Sequence, residues 1–396
     1  IFYLSESSSI YFQYFAVLEF KNILINHIKN SNHFSLLIDL FSISINILQN
    51  PQFSIIFQSF DFSVLPPLLE KINEFGEKCL YDPNYLIELQ KCICEFLRLM
   101  TSHPLNAFSW KCCYDSIIII SNTIQFTPVT ARIFSYILLN LVINEGAKNE
   151  KVPISENETV YFSEYQHQCF INPQILTFVK DNCFEFRDIL LFVYIKLVFL
   201  IKEVPENLNI GTIIDVYFQM IHSDIEYTDK DECFFIYAVH NLINFDKRLC
   251  EEPFVHNFVA FIFNERTENY GFLAKRQSAH FIATFAYLKP EVFFSFIQPP
   301  QFVLFLENIL FHFDSDGFES VNDKLCLIDI LKAVSQMYHY LSNHFPDQVH
   351  NLEGCEAVGI LKCLASQIVT STNETENEEH IAVAKIFLDE FPMSKE

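Results

Sequence analysis

The chain has 396 residues, 51% of them hydrophobic and 19% charged, a composition that buries a large core and lies outside the disordered class. Seven glycines stand against 44 phenylalanines, too few φ > 0 positions for the turns of a sheet protein and too scattered for a phosphate-cradling loop. The formal charge of −23 argues against a nucleic-acid partner, since the closest approaches to a basic stripe are the pairs Lys247-Arg248 and Lys275-Arg276. What remains is helix after helix.

Taken in chain order, 41–47 alternates apolar and polar residues as a strand would, and 117–120 is a β-branched run, yet neither is flanked by hairpin turn residues and each lies within a longer apolar pattern. Both are predicted helical. Asn50-Pro51, Asp82-Pro83, Thr127-Pro128, Asn172-Pro173, Glu252-Pro253 and Lys289-Pro290 each open a helical pattern, with proline at the first helical position. Leu86, Leu89, Ile93, Phe96 and Met100 form one apolar stripe, and Val321, Leu325, Ile328, Leu331, Val334, Tyr338, Leu341 and Phe345 form a longer one. The apolar run 189–201, interrupted by Lys196, falls short of the ~18–20 residues that span a bilayer and reads as a buried helix. The polar stretch 145–172 is too long for an ordinary helix connection and is expected to be a loop or insertion between a helical array at 1–144 and its continuation at 173–396. A second, Glu-rich loop at 370–380 precedes a terminal helix at 381–391. The count is 16 to 18 helices. Pairs starting near Pro173, Ile210, Pro253 and Pro290 advance by ~35–45 residues.

Motifs that carry chemistry are all defective. Gly354 and Gly359 have P-loop spacing but are followed by Ile360-Leu361 where Lys and Ser/Thr are required. The segment 312–323 aligns Asp314, Asp316, Gly317 and Asp323 with a calcium loop, but His312 takes the first ligand position, and a turn followed by a capping box fits better. Cys92, Cys94, His103, Cys112 and Cys113 crowd together without any C-x-x-C, and Cys92 and Cys94 lie about 200° apart around a helix. His339 and His344 lack the H-E-x-x-H arrangement, and there is no G-x-S-x-G elbow. No catalytic, cofactor or metal residue is therefore assigned. The twelve cysteines, Cys92, Cys183, Cys233, Cys326 and Cys363 among them, read as small hydrophobes in a reducing compartment, cytoplasmic or nuclear. The chain begins at Ile1 and not Met, so a fragment of a longer protein is expected.

Helix pairs at this period, an acidic surface and the lack of an enzyme motif resemble the armadillo/HEAT class of α-solenoids. The regular armadillo glycine and the HEAT Asp/Arg ladder are both missing, and Trp110 stands alone where cargo-binding importins repeat tryptophan. The resemblance implies an all-α superhelical stack and a function in protein binding, as a scaffold or adaptor for proteins or peptides. The alternatives are a transport-receptor-like solenoid that holds basic segments on an acidic surface and an enzyme with a site near 145–172.

Overall fold

The computed structural model describes residues 10–392 apart from 31–32, 51–56, 58, 78–82, 104, 124–125, 144–149, 156–157, 203–208, 223–226, 267–271, 314–320 and 371–377. The chain forms two compact units, Ile1–Pro205 and Glu206–Glu396. Nineteen α-helices lie among the described residues, one above the expected range.

In the first unit the helices are α1 (Ile10–Asn30), α2 (Phe34–Leu48), α3 (Leu65–Glu77), α4 (Pro83–Thr101), α5 (Ala107–Thr123), α6 (Pro128–Ile143), α7 (Phe162–Phe170), α8 (Pro173–Asn182) and α9 (Arg187–Ile201). A two-stranded hairpin, β1 (Lys151–Ser155) and β2 (Glu158–Tyr161), precedes α7. The helices stack as pairs in two layers: α2, α4, α6 and α9 lie side by side in that order, with α1, α3, α5 and the α7–α8 pair behind them. Of the first layer, α4, α6 and α9 run parallel. Ser42 Oγ lies 3.8 Å from Cys92 Sγ in mid-helix, Asn140 Nδ2 donates to the Arg98 carbonyl at 3.2 Å near two C-termini, and Arg132 meets Asp188 at 3.5 Å near two N-termini.

Both strand-like runs are helical, as expected. On α2 the buried set Phe34, Leu37, Leu40, Phe41, Ser44 and Leu48 has helical period, and the Ser44 hydroxyl satisfies itself on the Leu40 carbonyl at 2.8 Å. Of the 117–120 run, Ile117 and Ile120 are fully buried on α5. All five residues of the α4 stripe are buried. Asn172 caps α8 through its side chain, accepting from the amides of Gln174 and Ile175. The apolar run 189–201 is mostly buried within α9, and no helix among the described residues is long and apolar enough to cross a membrane.

The described part of the 145–172 stretch contains a hairpin and a helix. The hairpin pairs Lys151 with Tyr161, Val152 with Val160 and Pro153 with Thr159, buries Val152 completely against α5, and leads directly into α7. Before the hairpin, the Glu150 carboxylate accepts from the Ala107 amide at 3.2 Å, supplying an acceptor to the first turn of α5.

The second unit contains α10 (Ile210–His222), α11 (Asp229–Phe245), α12 (Pro253–Phe261), α13 (Phe272–Leu288), α14 (Pro290–Phe296), α15 (Pro299–Phe313), α16 (Val321–His344), α17 (Val349–Glu353), α18 (Glu356–Thr370) and α19 (Glu378–Glu390). Here α11, α13, α16 and α19 form one layer; α10 packs on α11 and α12, and α15 packs on α18, which packs on α19. Asp229, in the first turn of α11, accepts from the Leu273 and Ala274 amides at 3.0 Å each, so α11 and α13 start side by side and run parallel. Helices begin at Pro173, Ile210, Pro253 and Pro290 as the period predicts, but the layer of α11, α13, α16 and α19 advances by 43 to 57 residues. The short extra helices α14 and α17 lengthen its steps.

The stripe on α16 is only part of its buried surface. Ile328, Leu331, Val334 and Leu341 are buried, but Leu325 and Phe345 are exposed, while Cys326, Leu327, Ile330, Ala333 and Met337 are buried as well. A helix packed between α13 and α19, with α14 against it too, buries more than one face. Among the described cysteines Cys363 is exposed, contrary to its reading as a buried hydrophobe, because it falls on the outer side of α18.

Each unit is thus a stack of helix pairs, and the one hairpin of sheet among the described residues lies in the first; this is the arrangement of a generic α-solenoid.

Candidate functional site

Three helices that are neighbours in one layer of the second unit bring ligating side chains together: His240 from α11, His280 from α13 and Asp329 from α16. Helical period dictates this. His240 follows the buried Ile236 by four residues, and His280 precedes the buried Ala283 and Thr284 by three and four, so each imidazole shares a buried face of its helix. His240 is 4% exposed, and the side chains of His280 and Asp329 are each 19% exposed, so one flank of the cluster reaches solvent.

The hydrogen bonds have one consistent direction. Gln277 Nε2 donates to His240 Nδ1 at 3.0 Å, which puts the His240 proton on Nε2, and this donates to Thr284 Oγ1 at 2.9 Å. The Thr284 hydroxyl donates to Asp329 Oδ2 at 2.8 Å, and His280 Nε2 approaches the same oxygen at 3.0 Å. Lys332 Nζ lies 3.7 Å from Asp329 Oδ1 and 3.6 Å from Glu379 Oε1, over the ring of Tyr287 at 5.1 Å. The two imidazoles touch edge to face with centroids 4.4 Å apart.

Burial, reinforced by His280 and only partly offset by Asp329, lowers the His240 pKa to about 3, so this imidazole is neutral near pH 7. For Asp329 burial alone pushes upward, but the bond and charge of His280, the Thr284 hydroxyl and Lys332 outweigh it and hold the carboxyl below its usual range. A neutral imidazole and an ionised carboxylate are the forms in which these groups bind metal. Among the described residues this is the one group of three His, Cys, Asp or Glu whose ligand atoms all lie within 4.8 Å of one another.

The residues with metal-like spacing in the sequence do not assemble this way. Cys94 and Cys113 are fully buried, and burial pushes Cys94 up to about 12 and Cys112 up to about 11, so these are protonated thiols. Of the calcium-like segment, 314–320 and the side chains of His312 and Asp323 lie outside the described residues. Gly354 ends α17 and Gly359 lies inside α18, so the P-loop spacing falls on two helices. His339 and His344 point to different partners, Glu390 at 2.8 Å and Glu291 at 3.4 Å.

Near 145–172, where the enzyme reading placed a site, a second polar cluster joins α5 to α7. Tyr165 donates to Asp115, which also pairs with Lys111 at 2.6 Å, and Gln166 Nε2 donates to Tyr114 Oη at 2.9 Å and the Leu141 carbonyl at 3.1 Å. Burial keeps the Tyr165 hydroxyl protonated and pushes the neighbouring Cys169 thiol up to about 12, the opposite of an activated nucleophile. Clefts among the described residues include one of about 280 Å³ beside Phe126, Pro173 and Asp181 and one of about 230 Å³ between Pro299, Met337 and Leu352. Both are smaller than ordinary ligand pockets of ~300–1,000 Å³, and neither includes the His/Asp cluster.

The His240 cluster escaped the sequence reading because its members are 40 and 49 residues apart and form no local motif. The available signal was a polar residue recurring inside apolar stripes of consecutive layer helices. The fold defines the class, an α-solenoid of stacked helix pairs. No family model, curated protein or solved structure matches the chain.

Proposed function

We propose that the chain is a protein-interaction scaffold whose stacked helix pairs present a ridged surface to another protein or peptide. The observation that carries this reading is a row of exposed apolar side chains at the N-terminal ends of two neighbouring parallel helices, Tyr85 and Ile87 on α4 and Val129 on α6. The contact between Asn140 and Arg98, near the C-termini of the two helices, sets these N-terminal ends at one level. Ile87 is 50% and Val129 58% exposed. Single exposed apolar residues are ordinary, but three at adjoining helix ends make the kind of patch that partners cover.

The test is a photo-crosslinking residue placed at Ile87 in cells, compared with the same residue at the exposed Glu70 on α3. Ile87 should give a defined protein adduct that Glu70 does not, and Val129→Lys should remove it. Identical adducts from both positions would count against the reading. The net charge of −23 favours a second form of it, in which the partner segment is basic, as in the transport-receptor-like alternative. In that form the Ile87 adduct weakens as salt rises from about 50 to 300 mM, because charge attraction is screened over roughly a Debye length.

A further inference from the structure

We propose that His240, His280 and Asp329 form a binding site for one divalent transition-metal ion of the zinc type, with the fourth coordination position open to solvent. Three donors from three helices converge, two imidazole nitrogens and one carboxylate oxygen, a donor set that suits zinc and leaves one position for water. A tetrahedral zinc site with bonds of about 2.0–2.1 Å holds its donors about 3.3–3.4 Å apart. His280 Nε2 and Asp329 Oδ2 stand 3.0 Å apart across an Nε2–H···O bond that the ion would replace, the His280 proton moving to Nδ1 by way of solvent, and His240 completes the triangle within 4.8 Å. The partial exposure of His280 and Asp329 supplies the entry path, while His240 forms the closed back wall.

The surrounding residues fit a second role for each. To bind, His240 must present the Nε2 lone pair and carry its proton on Nδ1, so no proton is lost; the proton changes nitrogen. Gln277 is placed to accept it, since turning its amide end for end aims the carbonyl at Nδ1, where the amide nitrogen now stands 3.0 Å away. That is the outer contact that fixes a metal-bound imidazole. Binding also frees the Thr284 hydroxyl from His240, leaving its bond to Asp329 intact to orient the carboxylate. Lys332 is an opposing charge beside Asp329, and Glu379 next to it offsets part of its effect. The same bonds describe a purely structural network that ties three helices together, and an experiment separates the two.

Chelator-treated full-length protein is titrated with Zn²⁺ against a competing chelator and, in parallel, with Co²⁺ while visible absorption is read. The expected result is one Zn²⁺ per chain and tetrahedral Co²⁺ bands without thiolate charge transfer, with His280→Ala weakening Zn²⁺ binding by more than about 100-fold and Gln277→Leu by roughly 10–100-fold. Gln277→Glu and Lys332→Met should each bind more tightly than the parent, a gain that a misfolded variant does not give. Zn²⁺ binding unchanged in both His280→Ala and Asp329→Asn, a Co²⁺ spectrum of thiolate ligation, or no binding by the parent protein would overturn the assignment.

Discussion

Leu325 and Leu331 belong to the same apolar stripe of α16 and differ completely in environment, 40% against 0% exposed. Leu331→Ala should therefore lose about 2–5 kcal/mol, while Leu325→Ala should stay within about 0.5 kcal/mol; denaturant unfolding of both variants measures the contrast. Lys332, next to Leu331, is not the indifferent surface residue that its place outside the stripe suggests. It lies within 4 Å of Asp329 and Glu379, so Lys332→Asp sets a third carboxylate beside two and should be less stable than Lys332→Met. Periodicity in the sequence located the core face of α16, because Ile328, Leu331 and Val334 recur at helical spacing. It could not show Lys332 and Asp329 as partners of other helices, since contacts across a layer leave no trace in local spacing.

Helix starts were the most legible elements. Proline after a polar or charged residue marks the beginning of α4, α6, α8, α12 and α14, and at α8 the Asn172 side chain supplies the cap as its residue type implies. The hairpin was not legible, because its connecting residues are Glu156-Asn157 with no glycine, and Pro153 within β1 reads against a strand. Its burial of Val152 on α5 is tertiary packing that overrides local propensity. The cap that Asp229 gives to α13 was equally hidden, being a bond from one helix to the start of its neighbour 44 and 45 residues away. Asp229→Ala should cost about 0.5–2 kcal/mol and speed amide exchange at Leu273 and Ala274, whereas Asp229→Asn should retain much of the protection. Exchange at these two amides unchanged by the alanine would mean that the cap carries no energy.

At the scale of the whole molecule, stacked pairs touch mainly their neighbours, so stability is a sum of nearest-neighbour interfaces and each unit holds its own core. In the first unit Phe41, Phe57, Phe60 and Phe96 pack ring against ring; in the second Tyr217 meets Phe258 and Phe293 meets Phe302. Composition foretold this architecture through scarce glycine and abundant apolar residues. The boundary at Pro205 was not legible, because no run of turn residues there outweighs the polar stretch at 145–172. Each of the two units, 1–205 and 206–396, is a stack of helix pairs with its own core, and far-UV circular dichroism of the two pieces expressed apart tests this most directly. Each piece should give the double minimum of a helical protein and lose it in a cooperative thermal transition. A coil spectrum from either piece, or a spectrum dominated by strand, would contradict it.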